Sequence, residues 1–84
     1  MSNRQIIAIL RGVTPAEVVA VTKVLVGAGI DMIEVPLNSP EPLVSIASLA
    51  KAFAGQAEIG AGTVLTIADV EAVKAAGGQL VVSP

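Results

Sequence analysis

Apolar positions along the chain alternate between two regimes. Strand-like runs at Ile6 to Leu10, Met32 to Val35, Glu58 to Gly60 and Gln79 to Val82 are short and dominated by Ile, Val and Leu. Each gap between them carries apolar residues at spacings of three and four, the signature of a helix packed on one side. The pattern predicts β-α-β-α-β-α-β.

Punctuation supports the three helices. Thr14-Pro15-Ala16-Glu17 opens the first, with a Thr N-cap, Pro at the first helical position and Glu three residues after the cap. Val18, Val21, Leu25 and Ala28 mark its expected buried stripe, and Gly27 and Gly29 its end. Ser39-Pro40 is expected to start the second helix, with Leu43, Ile46, Ala47, Ala50 and Phe53 inward and Gly55 as the stop. Thr66 with Asp69 opens the third, which carries Val70, Val73 and Ala76 inward and ends at Gly77-Gly78.

Strand-helix units that recur in this way imply right-handed crossovers into a parallel sheet. Two α/β architectures fit: a doubly wound sheet of four strands, or the first half of a (β/α)8 TIM barrel, which needs about 200 to 250 residues. The last run, Leu80-Val81-Val82-Ser83-Pro84, has no helix after it to cover it, and natural domains avoid such an apolar edge. The expectation is therefore that residues 1–84 are a single partial domain, a fragment forming the N-terminal half of a barrel.

Composition narrows the chemistry. Of the 84 residues 54% are apolar with one aromatic, Phe53, as expected for buried parallel strands under Ala-rich helices. A net charge of −2 without a Lys/Arg cluster, and without Trp or Tyr to stack on bases, argues against nucleic acid as a partner. No charge-free apolar run approaches the roughly 18 residues of a membrane span. The Ile6 to Leu10 run is too short for a signal peptide and is cut off by Arg11, so the expected location is the cytoplasm. With no Cys and no His, thiolate nucleophiles, imidazole bases and nearly all transition-metal sites drop out. Glu, Asp, Lys, Arg, Ser and Thr remain.

The unusual polar residues fall at the carboxyl ends of the expected strands: Arg11 after the first, Glu34 in the second, Gly60-Ala61-Gly62-Thr63 on the third and Ser83-Pro84 on the fourth. In parallel α/β folds that end is the ligand-binding rim. Glu34 shares a strand face with Met32, opposite Ile33 and Val35, so it looks away from the helices if those two pack beneath them. A carboxylate in an apolar strand needs a partner, water or a raised pKa, so Glu34 reads as an acid/base or as one half of an internal ion pair with Arg11. Arg11 reads as a snorkelling charge or as a planar fork for a substrate carboxylate. Gly-Ala-Gly reads as a close approach of backbone to a ligand or as a tight bend. Asn38-Ser39 reads as a helix cap beside Glu34.

Together "IAILRG", "IEVPLNSP", "IGAGTVL" and "QLVVSP", in order and in register, resemble the start of the KHG/KDPG aldolase family of 2-keto-3-deoxy-6-phospho sugar acid aldolases. The resemblance implies a (β/α)8 barrel, usually a homotrimer, working as a class I aldolase through a Schiff-base lysine, without metal or cofactor, on a phosphorylated keto-deoxy sugar acid. Glu34 matches the family's general acid/base. Arg11 and Thr63 match positions that contact the pyruvate carboxylate, and Pro84 matches a proline at the substrate pocket. Many gluconate-type members carry an Arg in a "TLR" sequence where Pro36-Leu37-Asn38 stands here. That departure looks like the galactonate-type subgroup, in which Arg11 of "LRG" takes over the anchoring; Asn38, beside Glu34 on the rim, is a further expected substrate-binding residue. The Schiff-base lysine and phosphate loops of the family lie beyond Pro84, and Lys23, Lys51 and Lys74 fall on helices, so this chain alone is expected to be inactive. The alternatives are the gluconate or 4-hydroxy-2-oxoglutarate substrate, a non-catalytic half-barrel that self-associates, and a phosphate-sugar isomerase barrel.

Overall fold

Local signals place most element boundaries in the computed structural model, which describes residues 6–82. The order is β1 (Ile7–Ile9), α1 (Pro15–Gly27), β2 (Met32–Pro36), α2 (Pro42–Ala52), β3 (Glu58–Gly62), α3 (Ile67–Ala75) and β4 (Leu80–Val81). At the start of α1 the expected capping box is present, with Glu17 Oε1 accepting from both the Thr14 N–H (3.1 Å) and the Thr14 hydroxyl (2.8 Å). At α3 the Asp69 N–H donates to Thr66 Oγ1 (3.0 Å), while the Asp69 carboxylate accepts from Leu65 N–H (3.2 Å). The reciprocal bond there has moved one residue ahead of the cap.

The strands form one parallel sheet in the order β1-β2-β3-β4. This order discriminates between the two expected architectures. A doubly wound sheet reverses direction at a switch point, which puts helices on both faces. A sequential parallel sheet with crossovers of one hand keeps every helix on one face, as the outer layer of a barrel. The chain is therefore α/β with the arrangement of a half-barrel.

Its core lies between the sheet and that single helical layer. Ile33, Val35, Ile59 and Ala61 project from β2 and β3 onto Val18, Ile46, Leu49, Phe53 and Val73, all buried. Alternation along the strands then sends Met32, Glu34 and Pro36 of β2, and Gly60 and Gly62 of β3, to the helix-free face. The register pairs Ile9 with Glu34, Glu34 with Gly60, and Gly60 with Leu80, so these residues share that face.

Several expectations for the helices need correction. In α1 Thr22 is fully buried while Val21 is 40% exposed, because packing against α2 selects the i+4 neighbour of Val18 rather than the i+3 one. The second helix starts at Pro42, not at Ser39-Pro40. Its N-cap, Glu41, is left-handed (φ 41°), and Ser39 is buried in the preceding loop, its hydroxyl serving another element. Within α2 the inward positions are Ser45, Ile46 and Leu49, and Leu43 and Ala47 face outward.

Candidate active-site rim

Glu34 occupies the centre of the helix-free face and is only 6% exposed. The carboxylate owes this burial to β3. A Cβ added to Gly62 would stand 2.5 Å from Glu34 Cδ and 3.2 Å from Cγ, so the side chain lies across the bare backbone of that glycine. Since Gly60 is its register partner, the side chain leans two residues toward the carboxyl end of the sheet. The face on which the sequence pattern placed Glu34 is the observed one.

Backbone pairing runs past the strand ends and brings the following residues to one mouth. Leu10 N–H donates to Glu34 O (2.9 Å), Leu37 N–H to Gly62 O (2.9 Å) and Val64 N–H to Val82 O (3.3 Å). Arg11, Asn38 and Thr63 sit beside those bonds, at the same end of the sheet as Glu34. Arg11 is exposed in the turn after β1 and lines a shallow depression with Ile9, Glu17 and Val21 on the open edge of the sheet. Asn38 is exposed in the turn after β2. Pro84 lies outside the described residues.

Thr63 is half-buried and holds φ 58°. A β-branched side chain in the left-handed region is strained by about 1–3 kcal/mol and persists only where its surroundings hold it, a condition concentrated at functional sites. The preceding glycines gave no warning of this strain, since neither Gly60 nor Gly62 has a positive φ.

Ser39 sits at the rim, on the side of Glu34 that the sequence implied, but as a tie between two turns and not as a helix cap. Its Oγ accepts the N–H of Gly12 (3.3 Å), which joins the turn carrying Arg11 to the turn carrying Asn38. Gly12 has φ 77°, a conformation that points its N–H across the gap at little cost to glycine. The bond spans 27 residues, so no local pattern could have revealed it.

The remaining charges lie elsewhere. Lys23, Lys51 and Lys74 are exposed on α1, α2 and α3, and the last two sit in final helical turns, at the mouth opposite Glu34. A depression at that opposite mouth is lined by Asp31, Gln56, Glu58 and Gln79, at the amino ends of the strands. Glu17 is held below the ordinary carboxylate range, by the Thr14 hydroxyl and then the Thr14 N–H. Among the described residues no group of acids could hold a metal ion, and no helix is long and apolar enough to cross a membrane.

Comparison with known proteins gives this geometry a lineage. The chain is 49% identical over 82 residues to a probable 2-dehydro-3-deoxy-6-phosphogalactonate aldolase of Rhizobium meliloti (strain 1021). It is 47% identical over 79 residues to the 2-dehydro-3-deoxy-6-phosphogalactonate aldolase of Escherichia coli (strain K12). These matches cover 98% and 94% of the chain but only 39% and 38% of the relatives, so the chain spans about two fifths of their length. The whole chain also superposes on 41% of a solved structure named "Native KDPGal structure", with a TM-score of 0.93 at 44% identity. The family model for KDPG and KHG aldolase matches residues 1–84 from end to end, and the chain belongs to that family.

Proposed function

We propose that the chain supplies the acid/base side of a class I aldolase site, which cleaves 2-dehydro-3-deoxy-6-phosphogalactonate to pyruvate and glyceraldehyde 3-phosphate. The observation that carries this reading is the carboxylate of Glu34, buried on the helix-free face against Gly62 at the carboxyl-end rim. In the complete protein a lysine outside this chain condenses with the C2 ketone, and the resulting iminium is the electron sink. Glu34 takes the proton of the C4 hydroxyl as the C3–C4 bond breaks, the bonding pair enters the enamine of pyruvate, the carboxylic acid returns its proton to C3, and water hydrolyses the iminium to free pyruvate and the lysine. A held, poorly hydrated carboxylate suits this work, for which a positioned acid/base contributes about 10²–10⁴-fold. Arg11 and Thr63 hold the carboxylate at the keto-acid end and Asn38 contacts the substrate, with Pro84, by family likeness alone, as a further substrate-binding residue.

The exposed helical placement of Lys23, Lys51 and Lys74 supports a Schiff-base lysine elsewhere. The 84-residue chain alone is then inactive, and borohydride with pyruvate should trap no adduct on it. The assembled enzyme is a cytoplasmic homotrimer that needs neither metal nor cofactor, and residues 1–84 are the N-terminal half of its barrel. The decisive construction joins this chain to the part of the E. coli relative beyond its matched segment. That chimera should release pyruvate from the galactonate substrate faster than from its C4 epimer; a folded chimera inert toward both overturns the proposal.

A second reading, a half-barrel that pairs with its own copy, is favoured by Ile7 and Ile9 exposed at the β1 edge and by Leu65, Ile67 and Val81 exposed beside β4. Multi-angle light scattering separates them. A clean dimer of the 84-residue chain supports the second reading, and aggregation supports the first.

A further inference from the structure

The two glycines of Gly60-Ala61-Gly62 lie on the same face of β3, yet what stands over each is different in kind. A Cβ at Gly60 would collide with the backbone carbonyl and Cβ of Leu80, the paired residue on β4. Backbone in a parallel ladder cannot withdraw without moving the strand. The three atoms nearest a Cβ at Gly62 all belong to the side chain of Glu34: Oε2, Cδ and Cγ. A side chain can swing away, and neither glycine has the positive φ that would forbid alanine.

We infer that Gly62 is a positioning residue for Glu34, its missing side chain being what lets the carboxylate lie down on β3 at the rim, whereas Gly60 serves only the close approach of β4. A motif that reads as room for a ligand is, at these two positions, room for the protein's own Glu34 and Leu80. The catalytic meaning of the inference rests on the acid/base reading of Glu34. Its structural content does not, because the position of a carboxylate can be read without turnover.

Gly62→Ala and Gly60→Ala test it in the chimera, where the barrel is complete. Carbodiimide coupling of an amine to Glu34, mapped by mass spectrometry, is expected to be slow in the parent. It should rise several-fold in Gly62→Ala, with the unfolding midpoint little changed. In Gly60→Ala the midpoint should fall markedly while Glu34 in the folded fraction labels as slowly as in the parent. Should Gly62→Ala fail to fold, the Glu34→Ala background decides, since removing the displaced side chain must restore folding to Gly62→Ala and must not rescue Gly60→Ala. Unchanged labelling in a folded Gly62→Ala, or no rescue by Glu34→Ala, overturns the inference. In the chimera Gly62→Ala should lower kcat more than it raises KM, with pyruvate still trapped by borohydride. If labelling rises but kcat holds, the positioning stands and the acid/base reading of Glu34 falls.

Discussion

Thr63→Gly is expected to make the protein more stable and the enzyme slower. The left-handed backbone at this β-branched residue (φ 58°) costs about 2 kcal/mol, and glycine adopts it freely. Two terms oppose the gain. Glycine enlarges the unfolded ensemble, at about 0.5–1 kcal/mol, and the half-buried γ-methyl is lost, at about 0.4 kcal/mol. The balance favours the variant by about 0.5–1 kcal/mol, a rise in Tm of about 2–8 °C for a domain of this size. Circular dichroism melts of parent, Thr63→Gly and Thr63→Ala measure it, with alanine below glycine because its Cβ retains part of the strain. In the chimera the lost hydroxyl should raise KM for the keto acid. A Tm that falls on Thr63→Gly, or a KM that does not move, refutes the idea that strain is held here to present the hydroxyl.

Other perturbations probe the frame around the rim. Thr22 is fully buried and its hydroxyl has no hydrogen-bond partner among the described residues, so Thr22→Val, which keeps the shape, should stabilise by about 1 kcal/mol in urea titrations; a loss of that size would mean the hydroxyl is bonded. Ser39→Ala removes the acceptor of the Gly12 N–H and should cost about 1 kcal/mol, with a higher KM in the chimera if the bond sets the turn of Arg11. Glu17 is held below its ordinary range by Thr14, so its contribution is complete above the unfolded glutamate value and lost as pH falls through the lower folded value. The stability gap between parent and Glu17→Ala should therefore be constant near neutral pH and shrink in acid, and a gap that widens in acid contradicts this sign.

The fold was legible where one local pattern had one structural solution. The alternation of Ile33, Glu34 and Val35 fixed the face of the acid, because period two leaves no choice once the apolar pair is buried. Thr14-Pro15 and Thr66 located two helix starts for the same reason. Ser39-Pro40 misled because a Ser before Pro suits a cap and a loop equally, and the competing partner, Gly12, is remote in sequence. Val21 and Thr22 were interchangeable until α2 was present to select between them. Strand order, which separated a half-barrel from a doubly wound sheet, depends on how the units assemble and has no signature within one unit. At the rim the residue types were readable, whereas the strain at Thr63 and the separate roles of Gly60 and Gly62 exist only in three dimensions.

The most direct test of the central claim is Glu34→Gln in the chimera, with cleavage and borohydride trapping followed on the same sample. Glutamine keeps the shape that lies against Gly62 and removes the base, so a folded variant should lose about 10²–10⁴-fold in kcat. Turnover within a factor of a few of the parent would show that the buried carboxylate is part of the scaffold and that the proton passes through another group.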